Sequence, residues 1–355
     1  MAEPLAAAKV ATWWGKYRVV LFFVLGLGAV DAVIAHYRNL WRNYEPHWYL
    51  DRMEACRQKP FDIIVLGSSP AMYGINPNIL GGLRRQGEVL ESAYDLTLPL
   101  ATTAEVYHAL EHGLAAPPRL LLYGITATDL NDDRVEPLGP RWLMDVRDVV
   151  RWCRDRPASA PWAVRNYGEQ RLTDAWQLMR YREGIRLWAA DTIESIWPGL
   201  CSEAATEARA ARTNREGVRN SNGFQSPEPT PAHRLDCLKE AGQVTNSFTF
   251  LDNYHVGRYV VYLDRVLDWA ASHHVPIVLI DMPVSADLDQ RLHPAAFATY
   301  RAALAEVEKR RAVRILRPTR DAVGLTDADF SDVVHLNQNG AKRLTTWIRA
   351  ELADK

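Results

Sequence analysis

Five short apolar runs, each closed by a turn, recur along this chain and limit its architecture more than any other feature. They are FDIIVLG (61–67), GEVLESAY (87–94), PRLLLYG (118–124), VPIVLIDM (275–282) and AVRILRP (312–318). Three of them are continuous enough to be strands buried on both faces. Helix-like stretches separate them: NPNILGGLRRQ and TTAEVYHALEHGLAAP between the first three, YVVYLDRVLDWAASHH before the fourth, AAFATYRAALAEVEKRR before the last. Strands alternating with helices of this length form right-handed βαβ units, so an α/β fold with a five-stranded parallel sheet is expected.

The rest of the chain falls outside this alternation. Residues 140–200 contain PRWLMDVRDVVRWCRDR and RLTDAWQLMRYREGIRLWAADTIESIW and read as a helical insertion. Residues 201–235 are polar, Arg-rich and end in repeated prolines, which reads as a flexible loop. The sequence thus divides into 1–37, 38–60 (a helical neck rich in Trp, Tyr and Arg), 61–139 with 236–355 (the sheet domain), 140–200 and 201–235.

The first segment carries an apolar run from Val19 to Ala35 broken only by Asp31, seventeen residues by count. That is near the short end of what crosses a bilayer. Trp13, Trp14 and Tyr17 precede the run, and Tyr37, Trp41 and Tyr44 follow it, the placing of interfacial aromatic belts. Lys9, Lys16 and Arg18 before the run favour an inside amino terminus, with Arg38 and Arg42 opposing. No small-x-small cleavage pattern follows, so an uncleaved single-pass anchor is expected. Asp31 is costly in lipid unless it sits near an interface or faces a partner.

A net charge of −1 gives no global attraction to nucleic acid, and Arg209, Arg212, Arg215 and Arg219 read as a solvated or disordered basic stretch. The four cysteines, Cys56, Cys153, Cys201 and Cys237, lack C-x-x-C spacing, which argues against a zinc knuckle or a redox pair and leaves one or two disulfides open for an exported domain. His273 and His274 stand at a strand entrance, away from the edge where reactive groups gather, so no metal site is expected there. No Walker, G-x-G-x-x-G or H-E-x-x-H motif occurs.

In open parallel sheets reactive groups gather at the carboxyl ends of the strands. Gly67-Ser68-Ser69 stands at such an end, directly before a helix. Glycine permits the tight turn, and the helix amino terminus offers N–H groups to a developing negative charge. A serine needs a base to become a nucleophile. Near the carboxyl terminus, DFSDVVHLNQNGAKRLTTWI places Asp332 and His335 three apart, so that one loop presents an imidazole and the carboxylate that orients it. Asn337 and Asn339 beside it read as loop-holding and helix-capping residues, and Asp281 as a turn cap or a pocket-shaping group.

These motifs resemble the SGNH (GDSL-like) hydrolase superfamily, over roughly 60–132 and 250–350, and within it the membrane-anchored branch that includes the D-alanyl-transfer and alginate O-acetyltransferase proteins. The resemblance implies a three-layer, flavodoxin-like SGNH fold, with Ser69 as nucleophile, His335 as base and Asp332 as its orienting acid. Gly-Ser-Ser in place of Gly-Asp-Ser is the form seen in the D-alanyl-transfer relatives. Where the family has an oxyanion-hole glycine in its second block, this chain has Leu100 and Ala101. Where the third block has asparagine it has Thr126, with Asn131 as a substitute from the same loop. Ser68, Ala101, Thr126 and Asn131 are therefore the candidate oxyanion or substrate-binding positions.

By the same resemblance the chain needs no cofactor or metal and acts outside the cytoplasm, on the periplasmic side of the cell membrane. It transfers a short acyl group from a donor to an exported polysaccharide or cell-wall glycan, with a multispanning membrane acyltransferase as partner. An esterase or deacetylase on acylated glycan, and a non-catalytic glycan-binding or assembly subunit, are the alternatives. The insertion either covers the site and binds sugar or packs between helices and membrane surface.

Overall fold

The computed structural model describes residues 4–44, 50–132, 146–155, 157, 160–226, 251–286, 288, 290 and 293–354. The protein is mostly helical, with a mixed α/β architecture, and divides into two compact units: Met1–His47 with Val164–Thr213, and Trp48–Ala163 with Asn214–Lys355.

The smaller unit begins with α1 (Pro4–His36), followed by α2 (Arg38–Arg42). Within α1, the segment Tyr17–His36 has 20 residues and a mean hydropathy of 2.2, long and apolar enough to cross a membrane. The larger unit opens with α3 (Leu50–Gln58) and is built on five parallel strands: β1 (Ile63–Gly67), β4 (Ala93–Asp95), β5 (Leu120–Ile125), β6 (Ile277–Asp281) and β7 (Arg314–Leu316). Their spatial order is β4-β1-β5-β6-β7, so the winding reverses between β1 and β5. In such sheets the crevice at the reversal is where ligands bind.

All five residues of β1 and all six of β5 are buried, as their unbroken apolar runs require. After β1 come α4 (Ser69–Gly74) and α5 (Pro77–Leu80). α6 (Thr103–His112) starts at a capping box, with Thr102 as N-cap and Glu105 reaching back to it, and packs on α12 (Arg258–Ser272). α13 (Pro294–Arg311) precedes β7, and α15 (Gln338–Leu352) closes the chain after the short α14 (Arg320–Val323). One core joins β1, β5 and β6 to α4, α5 and α15 through Val65, Leu122, Ile280, Ala71, Leu80 and Leu344.

Helices α7 (Val146–Asp155), α8 (Ala160–Ala175), α9 (Gln177–Arg180), α10 (Arg182–Ile196) and α11 (Ser202–Asn220) fill the middle of the chain. In the smaller unit Tyr44 packs with Leu187 and Ala208, and the Trp41 and Trp188 rings meet edge to face at 5.0 Å. Asp31 has a partner in this unit: its Oδ1 accepts the backbone N–H of Leu178 in α9 at 2.8 Å.

Three local expectations need correction. The stretch 201–235, read as a loop, forms α11 through Asn220, and residues 227–235 lie outside the described part. Its buried stripe is Ala205, Ala208, Ala211 and Arg215, too weakly apolar to register as an amphipathic pattern. On α11, Arg209 and Arg212 are exposed to solvent, as expected, but paired, whereas Arg215 is buried; the side chain of Arg219 lies outside the described residues. Arg209 and Arg212 approach Asp191 at 3.4 and 3.5 Å, and Arg215 pairs with Asp51 at 2.9 Å, both side chains almost fully buried.

The helix expected over 76–86 stops at Leu80, where two glycines follow, and β2 (Leu83–Arg85) pairs antiparallel with β3 (Glu88–Leu90). The Gln86-Gly87 turn has φ of 54° and 79°, the twist of a tight hairpin, so the run 87–94 divides between β3 and β4. The long helix expected over 171–197 is broken at Trp176 and Tyr181 into the end of α8, α9 and α10. Among the described cysteines, Cys56, Cys153 and Cys201 are free thiols; Cys237 lies outside the described residues.

Candidate functional site

At the end of β1 the chain turns through Gly67 into α4 with φ of 141°, a conformation that side-chain-bearing residues rarely adopt. A Cβ here would run into the Gly124 carbonyl on β5 and sit 2.6 Å from the Ala71 Cβ. Gly67 lies opposite Gly124 in the β1–β5 register, so two glycines let α4 settle on the strand ends. Ser68 is the N-cap by position and Ser69 the first helical residue, with Pro70 supplying a pre-formed φ for the first turn. The Ser69 N–H stands where an α-helix leaves its donors unpaired.

His335 is held by a loop that closes on itself. Ser331 donates its N–H to the His335 carbonyl at 2.7 Å, Phe330 and Leu336 form an isolated antiparallel bridge, and Asn337 donates to the Asp329 carbonyl at 2.9 Å. Inside the loop, Asp332 Oδ1 accepts the N–H groups of Val334 and His335, both at 2.9 Å. Its other oxygen, Oδ2, receives His335 Nδ1 at 2.6 Å. One carboxylate therefore fixes both the backbone and the ring of the same histidine. The opposite ring nitrogen, Nε2, lies 2.8 Å from Ser69 Oγ. With the Nδ1 proton given to the carboxylate, Nε2 is left to accept the serine O–H.

Burial pushes the Asp332 carboxyl up, but the hydrogen bond and charge of His335 and the two backbone N–H groups outweigh it, so the group titrates below the usual carboxylate value.

Residues more than 250 positions apart meet because α15 docks on α4 and α5. Asn76 donates its N–H to Thr345 Oγ1 at 2.9 Å, and Arg349 donates to the Ile79 carbonyl at 2.7 Å. Asn337 Oδ1 caps α15 by accepting the N–H groups of Asn339 (3.0 Å) and Gly340 (3.1 Å), while its Nδ2 donates to the Ala328 carbonyl at 2.7 Å. The cap residue, two positions after His335, thus fixes the start of α15.

The other candidate positions are placed differently. Ser68 is buried and its hydroxyl has no hydrogen-bond partner among the described residues. The Ala101 N–H donates to the Leu98 carbonyl at 3.2 Å within its own turn. Thr126 caps the 3-10 turn Ala127–Asp129, its N–H donating to Asp129 Oδ2 at 2.8 Å and its hydroxyl bonding Thr128 at 2.7 Å. Asn131 is buried, and its Oδ1 accepts the His255 N–H at 3.2 Å. These three thus make bonds within and between the loops beyond β4 and β5. Leu100 has φ of 59°, a left-handed backbone without the glycine that favours it. Asp281 accepts the Tyr300 hydroxyl at 2.9 Å.

Two further features lie beyond the sequence expectations. Tyr73, one turn after Ser69 on α4, sets its ring edge-on to His335 at 4.8 Å. The i, i+4 spacing from Ser69 is the pattern that would have marked it. Arg52 and Asp95, both fully buried, pair at 3.4 Å where β4 ends. Arg52 also donates to the Thr97 carbonyl at 2.8 Å and to the Gly223 carbonyl at 2.5 Å. Leu96 and Leu98 donate to the Val65 and Gly67 carbonyls, so the loop braced by Arg52 runs along β1 toward Ser68. Burial raises the Asp95 carboxyl to about 6 against the pull of Arg52 and Thr97.

His108, Glu111 and His112 on α6 bring one donor atom each within 4.8 Å of the others. The Arg151 guanidinium already lies 3.3 Å from the Glu111 carboxylate, a cation that a metal ion would have to displace.

No protein-family model matches the chain, and no curated protein shows significant similarity to it.

Proposed function

We propose that the chain is a membrane-anchored serine O-acyltransferase of the SGNH (GDSL-like) type, with a three-layer flavodoxin-like core. It acts outside the cytoplasm on an exported polysaccharide or cell-wall glycan. The observation that carries this reading is the relay Ser69 Oγ to His335 Nε2 (2.8 Å) and His335 Nδ1 to Asp332 (2.6 Å), set where the sheet reverses. Three groups in hydrogen-bonded series, with acceptor, donor and carboxylate in the right order, have the arrangement of acyl-transfer chemistry. The surface helix α1 supports the anchor, since its apolar side chains, such as Phe22 and Val19, are exposed.

In the proposed cycle His335 takes the Ser69 proton as Oγ attacks an ester or thioester carbonyl. The tetrahedral oxyanion is met by the Ser69 N–H, and the leaving group departs with the proton from His335. A glycan hydroxyl, deprotonated by the same imidazole, then takes the acyl group and frees Ser69. Asp332 holds the ring and offsets the imidazolium charge at each transfer. The acyl donor is delivered by a multispanning membrane acyltransferase.

A second reading, a non-catalytic SGNH-like subunit, is favoured by the structural bonds of the Ala101 N–H and of Thr126 and Asn131. Loss of one oxyanion donor costs on the order of 100- to 1000-fold. The two readings separate on one test: a fluorophosphonate probe labels the wild-type protein and fails on Ser69→Ala and His335→Ala. Equal labelling of all three proteins discards both transferase and esterase. Acetate release from acetylated glycan by the purified protein, with no acceptor present, moves the assignment to the esterase.

A further inference from the structure

Helix α8 is inverted with respect to water. From Val164 onward its exposed stripe is Val164, Gly168, Leu172 and Ala175, spaced four, four and three residues apart. Val164 and Leu172 are 57% and 66% exposed, whereas the polar Asn166 and Gln170 on the other side are buried at 5% and 8%. A helix on an aqueous surface puts its apolar stripe inward. Arg165 and Arg171, both exposed, flank the stripe one on each side, and exposed Trp176 follows at the helix end. An apolar stripe with arginines at its margins and a tryptophan at its end has the composition of a helix lying in a lipid interface.

The depth of this element is fixed by a bond already described. Leu178, the second residue of α9, donates its N–H to Asp31 Oδ1 at 2.8 Å. Asp31 lies five residues before His36, the end of the apolar segment, or about 7.5 Å along a helix axis. Interfacial helices sink about 5–10 Å into the boundary between headgroups and acyl chains. Asp31 also supplies an acceptor to a helix-start N–H that lipid could not satisfy. The same bond accounts for a carboxylate inside the apolar run.

We propose that α8 and α9 form a membrane-interface element: the Val164–Ala175 stripe lies in the headgroup region of the bilayer that α1 enters, with Arg165 and Arg171 among the lipid phosphates. The inference rests on α1 entering a bilayer and is independent of the hydrolase reading.

The test uses the full chain with its four cysteines replaced, carrying a nitroxide at Val164→Cys or Leu172→Cys, in nanodiscs of mixed phosphatidylcholine and phosphatidylglycerol. Leu25→Cys on α1 and Val261→Cys on α12 report lipid and water; both native side chains are exposed. Collision with oxygen marks lipid, and collision with a nickel chelate marks water. The expected result is that oxygen exceeds nickel at 25, 164 and 172, with the reverse at 261. Nickel preference at 164 and 172 alongside oxygen preference at 25 overturns the proposal and leaves the anchor standing. Low collision with both reagents at 164 and 172 overturns it in favour of a second protein on that face. Nickel preference at 25 removes the premise and the proposal together.

Discussion

Replacing Asp332 by asparagine changes the sense of one hydrogen bond while leaving the loop its backbone acceptor. In the wild-type protein Oδ1 holds the N–H groups of Val334 and His335, and the asparagine carbonyl preserves both. The amide nitrogen then replaces Oδ2, 2.6 Å from His335 Nδ1, and sets a donor against a donor. The ring escapes by moving its proton to Nε2, which now points a hydrogen at Ser69 Oγ and cannot accept one. A wrong tautomer of this kind lowers turnover by about 10⁴ in a serine-protease triad, equivalent to about 5 kcal/mol of transition-state stabilisation. The measurement is the second-order rate of fluorophosphonate labelling, taken with thermal melts of the wild-type, Asp332→Asn and Asp332→Ala proteins. Asparagine is expected to keep the melting temperature near wild type and lose the labelling rate. Alanine is expected to lose both, because it strands two partly buried N–H groups, each costing up to about 1–3 kcal/mol. The carboxyl titrates below its ordinary 3.8. Its contribution to stability is therefore complete above that value and lost as pH falls through the lower folded-state value, and the asparagine variant lacks that acid limb. Wild-type labelling by Asp332→Asn would refute the relay as the source of reactivity.

Arg52→Ala leaves Asp95 buried without its cation and is expected to cost about 3–5 kcal/mol in denaturant unfolding, whereas Arg52→Met with Asp95→Leu costs less. Asp95 titrates near 6, above its unfolded value, so its part of the stability is greatest at low pH and declines as pH rises through that range, a slope the double variant loses. Gly67→Ala forces a side chain into the Gly124 carbonyl at a φ of 141° and is expected to cost at least about 3 kcal/mol; a change below 1 kcal/mol by chemical denaturation contradicts the close approach of β1 and β5. Leu100→Gly relieves a left-handed backbone at 59° on a half-exposed side chain and should raise the melting midpoint or leave it unchanged. A clear loss of stability in that variant removes the argument for strain at this loop.

The parts of this structure that were legible in the sequence are those whose signal is local and strong. β1 and β5 are uninterrupted apolar runs because both their faces are covered, and the turn after β1 declares itself through a glycine that nothing else fits. The Asp332–His335 spacing was readable because a carboxylate three residues ahead of a ring can bond both its backbone and its nitrogen. Long-range pairing left no such trace. Arg52 and Asp95 meet through the fold alone, with no spacing rule to join them. α11 was hidden by its composition, since an alanine stripe has little hydrophobic contrast with the glutamates and arginines around it. The β2–β3 hairpin turns on Gln86 in a left-handed conformation that glutamine does not advertise. The bonds taken up by Ala101, Thr126 and Asn131 depend on which loops fold against each other, so their place in the sequence alone did not foretell them.

The bonds described between the segment from Ser69 to Leu80 and the carboxyl-terminal segment all lie within the larger unit: Ser69 with His335, Asn76 with Thr345, Arg349 with Ile79. None of them involves α1 or the inverted stripe of α8. The reactive geometry is therefore set by the packing of α4 and α5 against α15, and in the proposed membrane arrangement α1 and α8 contribute an address. On the proposed acyltransferase reading, a bilayer should alter which acyl donors reach Ser69 and leave the reactivity of Ser69 toward a small soluble probe unchanged. Fluorophosphonate labelling of the full chain should proceed at the same rate in detergent and in nanodiscs, within about twofold, whereas transfer from a membrane-delivered acyl donor should require the bilayer. A large rate difference with the soluble probe would mean that lipid reshapes the serine–histidine contact itself, and the separation of geometry from address would have to be abandoned.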